Sequence, residues 1–93
     1  MYKLFFDGAS KGNPGATWGG GVLLNPDETL EFIYSWGIGE NSNNIAEALT
    51  LWQGLYQAKA RNITKLNVFK DSQFVIQALI INIQPNDMRL RQI

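Results

Sequence analysis

Three acidic residues in this sequence occupy positions where a carboxylate could do chemistry. Asp7 follows three apolar residues, Glu47 lies near the start of a long helical segment, and Asp71 follows a short, largely apolar segment. Each acid alone has a structural explanation, because Asp is common in turns, Glu is favoured in the first turn of a helix, and Asp is a good N-cap. The elements that carry the acids decide between those explanations and a shared site.

The predicted elements bring these acids together. Residues 2–8 and 66–69 are predicted to be strands with a helix between them, so they should run parallel, about 4.8 Å apart. Asp7 and Asp71 would then lie at the same end of the sheet, which the helix carrying Glu47 crosses. Three carboxylates with no basic partner nearby repel one another, and a divalent cation relieves that repulsion.

The available ligand types favour a hard metal ion at such a site. The chain contains no His and no Cys, and oxygen ligands alone suit Mg²⁺ or Mn²⁺ better than Zn²⁺. Two such ions about 3.5–4 Å apart can hold the attacking water and the leaving oxygen of a phosphodiester. We therefore expect Asp7, Glu47 and Asp71 to form a metal-dependent phosphodiester-cleaving site.

The hydrophobic pattern predicts an α/β fold in which the elements follow the order βββαβα. Strands are predicted at 2–8, 18–25, 29–37 and 66–69, and helices at 43–61 and about 72–83. Turns at 10–16 and 25–27 should join the first three strands into an antiparallel meander, beside which the fourth strand lies parallel to the first.

The position of Glu47 on its helix favours a functional role. On a helical wheel it lies beside Leu51, at the edge of an apolar arc that includes Trp52 and Leu55, and outside the polar arc that includes Thr50. An acid on that edge should point inward.

Composition limits the possible functions. The 93 residues suffice for one small domain. Eight basic residues balance eight acidic ones, so the net charge gives no argument for nucleic-acid binding. The absence of Cys fits an intracellular protein of the cytoplasm or nucleus, and no apolar run approaches the roughly 18 residues of a membrane span.

Three segments resemble motifs of the ribonuclease H family, in its plant-type and retroelement-associated branch. Residues 6–15 resemble the family's opening strand and turn, residues 43–47 its Asn-rich helix start, and residues 71–75 its Asp-Ser-Gln segment. The resemblance covers essentially the whole chain. It implies a ribonuclease H-like domain over residues 1–93. It also implies a hydrolase that cuts the RNA strand of RNA–DNA hybrids. The implied cofactor is Mg²⁺ or Mn²⁺, with two ions bound when substrate is present.

The resemblance also implies residue roles. Asp7, Glu47 and Asp71 match the catalytic metal ligands, with the Gly8 backbone as a further ligand. Six further residues match family positions that contact nucleic acid: Ser10, Asn13, Asn43, Asn44, Ser72 and Gln73. Asn43 and Asn44 match residues that meet the minor groove of the hybrid, where 2′-hydroxyls mark RNA. Capping and turn chemistry is the alternative for Ser10, Asn43 and Ser72.

The sequence also departs from the family. Members normally continue with a fifth strand and a helix that carries a fourth acid, whereas this sequence ends at Ile93, and Asp87 follows Asp71 too soon to be that ligand. We therefore expect a domain that is incomplete at the C-terminus and an isolated monomer without full nuclease activity. The open edge of the fourth strand and the apolar second helix should self-associate or be covered by a missing C-terminal segment.

Two other functions remain open. A non-catalytic remnant of a ribonuclease H domain, acting in nucleic-acid binding or assembly, fits the neutral charge and the early end. A phosphotransferase of the actin and sugar-kinase type also opens with an Asp-Gly turn, but its phosphate loops need a second Gly-rich turn and a longer chain.

Overall fold

The computed structural model describes residues 1–12 and 15–82. In chain order the elements are β1 (Tyr2–Gly12), β2 (Gly15–Leu24), β3 (Leu30–Asn41), α1 (Asn43–Ala60), β4 (Leu66–Lys70) and α2 (Ser72–Asn82). The predicted order βββαβα is confirmed. The expected end of the second helix, at about residue 83, lies outside the described residues.

The four strands form one sheet in the order β3-β2-β1-β4. β2 pairs antiparallel with both β1 and β3, and β4 pairs parallel with β1, so both the predicted meander and the parallel fourth strand are confirmed. The expected turn at 10–16 is largely strand, because β1 and β2 stay paired until Gly12 faces Gly15. Gly12 has a φ of 97° there, a conformation that favours glycine.

Helix α1 packs on the face of the sheet that carries Leu4, Leu23 and Tyr34, the centre of the hydrophobic core. It contacts this face through a stripe of small residues, all of them buried: Ala46, Thr50, Gly54 and Ala58. Small side chains let the helix approach closely, since a Cβ atom at Gly54 would lie 2.6 Å from the Leu4 side chain. The Tyr34 hydroxyl donates a hydrogen bond of 2.8 Å to the Thr50 carbonyl oxygen, which ties β3 to the helix.

The buried face of α1 corrects the helical-wheel prediction. Thr50, placed in the polar arc, is fully buried, and its hydroxyl donates to the Ala46 carbonyl oxygen at 2.7 Å. Trp52 and Leu55, placed in the apolar arc, are exposed. The wheel failed because it ranks residues by polarity, whereas a helix that packs closely on a sheet buries its smallest side chains.

Helix α2 covers the opposite face. Side chains alternate along β1, so Phe5 points away from α1 and packs against Phe74 of α2, with ring centroids 4.2 Å apart. Phe69 of β4 stacks on the same Phe5 ring at 5.0 Å. In α2 Val75 alone is fully buried, whereas Ile80 is 71% exposed. Much of the apolar surface of α2 therefore faces solvent in the part of the chain that the structure describes.

Candidate active site

Asp7 lies inside β1, where it pairs with Gly20, and its side chain is buried. The interpretation that Asp7 merely starts a turn is therefore wrong. β4 ends at Lys70, which faces Phe6, so Asp7 is the first residue of β1 beyond the end of its parallel neighbour.

Gly8 brings α1 to this point of the sheet. A Cβ atom at Gly8 would lie 2.5 Å from the Ala46 carbonyl oxygen and 2.9 Å from the Glu47 amide nitrogen. Only glycine allows this approach, because both atoms belong to the helix backbone and cannot move aside. The contact sets Glu47 beside the interior of β1, one residue after Asp7.

Glu47 lies in the second turn of α1, and its side chain is 30% exposed. The first turn of this helix contains no acid. Favourable interaction with the helix dipole therefore does not account for Glu47, since that effect is confined to the first turn.

Asp71 joins β4 to α2. Its amide donates to the Phe6 carbonyl oxygen at 3.2 Å, which holds the junction beside β1. Its Oδ1 accepts a hydrogen bond of 3.0 Å from the Phe74 amide, so Asp71 caps α2 as the structural explanation predicted. The cap uses one carboxylate oxygen, and an ionised carboxylate has two.

Lys70 is the cation that sequence reasoning missed. Its ammonium group forms a salt bridge with Glu47 Oε1, contrary to the expectation that no basic partner lies near the acids. The predicted parallel pairing could have indicated that Lys70 lies near the acids, because the residue before Asp71 ends the strand next to Asp7.

The pKa of Asp7 depends on its burial and on the charges of Glu47 and Lys70. Burial raises the pKa of Asp7 above its ordinary value, and the Glu47 carboxylate adds to the effect. The Lys70 charge and a hydrogen bond from the Gly8 amide act in the opposite direction. The hydrogen bond and charge of Glu47 in turn raise the pKa of Lys70.

The fit to a metal ion is clearest for two of the three acids. Asp7 and Glu47 interact electrostatically near the point where β4 ends, and they offer the oxygen donors that a hard divalent cation prefers. Within residues 1–12 and 15–82, no group of three acids is close enough to hold a metal ion. The structure brings the Asp71 backbone to β1, whereas its carboxylate is turned to the start of α2.

The residues expected to contact nucleic acid lie around the acids, and some have structural roles. The Ser10 amide donates to Asn43 Oδ1 at 2.9 Å and the Ser10 hydroxyl to the Asn41 carbonyl oxygen at 3.0 Å, which links β1 to the start of α1. Asn43 and Asn44 open α1, Ser72 and Gln73 open α2, and all four are exposed. Asn13 lies outside the described residues.

Solved structures define the class of protein first. Ribonuclease H1 from the halophilic archaeon Halobacterium salinarum matches with a TM-score of 0.71 and 34% identity, over 98% of this chain and 69% of that chain. LC11-RNase H1, solved in complex with an RNA/DNA hybrid, matches with a TM-score of 0.71 and 22% identity, over 99% of this chain and 70% of that chain. The fold is that of ribonuclease H, as predicted.

Sequence comparison then gives the family. A family model described as reverse transcriptase-like matches residues 5–93. The putative hydrolase EbsB of Enterococcus faecalis is 32% identical over 89 residues, which are 94% of this chain and 64% of that protein. This chain belongs to the reverse transcriptase-like family, and its predicted resemblance to ribonuclease H is confirmed. It spans somewhat under two thirds of the Enterococcus relative.

Across the described residues, no helix is both long and apolar enough to cross a lipid bilayer.

Proposed function

We propose that this chain is the metal-dependent endonuclease domain of a protein that hydrolyses the RNA strand of RNA–DNA hybrids. The observation that carries the proposal is the buried Asp7 carboxylate within electrostatic range of Glu47, just beyond the point where β4 ends beside β1. A carboxylate kept out of water next to a second one needs a cation to ionise readily. The ribonuclease H fold supplies the substrate class, since LC11-RNase H1 was solved with an RNA/DNA hybrid.

Asp7, Glu47 and Asp71, together with the Gly8 backbone carbonyl, would hold Mg²⁺ or Mn²⁺, two ions when substrate is bound. Such ions activate water and stabilise the charge that develops on a phosphodiester. The Phe74 amide donates a hydrogen bond to one oxygen of Asp71, so the cap of α2 orients that carboxylate.

The hybrid would bind across the ends of both helices. Exposed polar side chains at the starts of α1 and α2 flank the acids, and helix N-termini favour the phosphate groups of a backbone. The residues proposed to contact the hybrid are Ser10, Asn13, Asn43, Asn44, Ser72 and Gln73. The amides of Asn43, Asn44 and Gln73 can both donate to and accept from the 2′-hydroxyls that distinguish RNA.

A second candidate function is metal-independent binding or assembly by a non-catalytic remnant. The salt bridge between Lys70 and Glu47 favours it, because a protein cation already neutralises one of the acids.

Cleavage of an end-labelled RNA–DNA hybrid by the full chain, with Mg²⁺ or with a chelator, tests the proposal. We expect metal-dependent cutting of the RNA strand that Asp7→Asn and Glu47→Gln each reduce more than about 100-fold, since even outer partners of metal ligands contribute up to that much. Asp71→Asn should also lose activity, but it should keep the helix cap. Asp71→Ala should lose both the activity and the cap. Hybrid binding without cleavage by the folded chain, equal with and without Mg²⁺, would favour the second candidate.

A further inference from the structure

Lys70 directs its charge at Glu47 because of its place in the sheet. It is the last residue of β4 and faces Phe6 of β1. Residues that face each other across paired strands point to the same side, and Phe5 and Phe69 stack on the side of α2. Lys70, one residue further on, therefore points to the side of α1, where its ammonium group meets Glu47.

We propose that Lys70 is a built-in counter-cation of the Asp7 and Glu47 pair, which a divalent ion must displace from Glu47 in order to bind. This inference rests on the proposed function. Glu47 Oε1 accepts the salt bridge from the Lys70 ammonium group, and Lys70 also interacts electrostatically with Asp7. An ammonium group and a metal ion at the same carboxylate repel each other, so each weakens the binding of the other to the pair.

The lysine side chain is suited to this exchange. It is 55% exposed, and its flexible four-carbon stem allows the ammonium group to swing into solvent. Lys70 is thus a positioning residue that acts through Glu47. It should stabilise the metal-free fold and raise the metal concentration that the site requires.

Metal titration of charge-neutral variants tests the inference. Lys70→Met removes the charge and keeps an unbranched side chain, and Lys70→Gln is a second neutral variant. The matched control is Lys65→Met, which changes net charge equally just before β4 begins. We expect both Lys70 variants to bind Mn²⁺ roughly two- to fivefold more tightly in calorimetry, the scale of one partly exposed ion pair. Lys70→Arg and Lys65→Met should bind like the wild type.

Thermal unfolding gives a second readout that is independent of cleavage. In chelator, Lys70→Met should melt below the wild type, because the two acids lose their counter-cation. On addition of Mn²⁺ its Tm should rise by more than that of the wild type, whereas a merely structural lysine would leave the two increments equal.

The possible outcomes separate this inference from the proposed function. If the wild type binds Mn²⁺ and the Lys70 variants bind it equally or more weakly, the counter-cation role is overturned and the nuclease proposal stands. Binding of Mn²⁺ by the Lys70 variants but not by the wild type would give the strongest support for the counter-cation role. If neither the wild type nor the variants bind Mn²⁺, both proposals fail.

Discussion

At the scale of single residues, Asp7 and Gly8 define the site together. Asp7 supplies a carboxylate buried within a strand, and Gly8 supplies the empty space through which α1 reaches that strand. The sequence identified Asp7 from its place after an apolar segment. It also suggested a turn there, because Asp-Gly is a common turn dipeptide and nothing local shows that the strand pairing continues to Gly12.

Asp7→Asn should stabilise the metal-free protein at neutral pH. Burial raises the pKa of Asp7 above its ordinary value of 3.8, so in the pH range just above that value the folded chain holds the proton more tightly than the unfolded chain. Stability is then lost as pH rises through that range, and the uncharged amide escapes this loss. Thermal unfolding in chelator should give a higher Tm for the variant at pH 7 and a smaller difference near pH 4.

Asp27→Asn is the control of opposite sign. Hydrogen bonds from Thr29 lower the pKa of Asp27, so ionisation of Asp27 stabilises the folded chain at neutral pH. This variant should show no gain in Tm at pH 7. A fall in Tm for Asp7→Asn at pH 7 would contradict the inference that burying the ionised Asp7 carboxylate destabilises the folded chain.

At the scale of elements, the end of β4 and the starts of the two helices assemble the site. Asp71 follows β4, caps α2 and donates a hydrogen bond to β1 through its backbone amide. The start of α1 is set by its Ser42 cap, whose hydroxyl accepts from the Ile45 amide at 3.3 Å. Cap chemistry is local, which is why the starts of both helices were predictable. The buried face of α1 was not, because it depends on how closely the helix packs on the sheet.

Gly8→Ala should destabilise the protein and separate α1 from β1. The new methyl group would overlap backbone atoms of Ala46 and Glu47, and overpacking of this kind costs about 1–3 kcal/mol. Urea unfolding followed by circular dichroism measures the loss. The matched control is Gly37→Ala, also in a strand, where a Cβ atom meets nothing within 4 Å and the change should stay within about 0.5 kcal/mol. Equal effects at both positions would refute the close contact.

At the scale of the whole molecule, β4 and α2 leave apolar surface open. Within the described residues β4 pairs on one side only, with β1. Val68, Phe69, Ile76 and Ile80 are each more than 40% exposed. The expectation that this surface pairs with another copy or with a further segment stays a prediction.

Self-association through α2 should disappear when its exposed face becomes polar. We expect the wild type to form larger species as its concentration rises to high micromolar values in size-exclusion chromatography with light scattering. Ile76→Glu combined with Ile80→Lys keeps net charge and adds a favourable i,i+4 pair, and it should yield a monomer. Trp52→Glu combined with Tyr56→Lys makes the same change on the exposed face of α1 and should behave like the wild type.

A strictly monomeric wild type would show that the open surface of α2 does not drive association. Dissociation by the α1 variant instead would assign the contact to the stacked pair of Trp52 and Tyr56, whose rings lie 5.5 Å apart.

The sequence by itself determined the order of the elements, the parallel pairing of the first and fourth strands, and the acids that could form a site. These features follow from hydrophobic periodicity, turn and cap residues and chain connectivity, all of which act over short stretches or simple topology. Only the tertiary structure decided that Asp7 lies within a strand, that α1 buries its small residues, and that Lys70 meets Glu47. Each of these depends on strand register and close backbone approach between segments far apart in the chain, which local patterns do not encode.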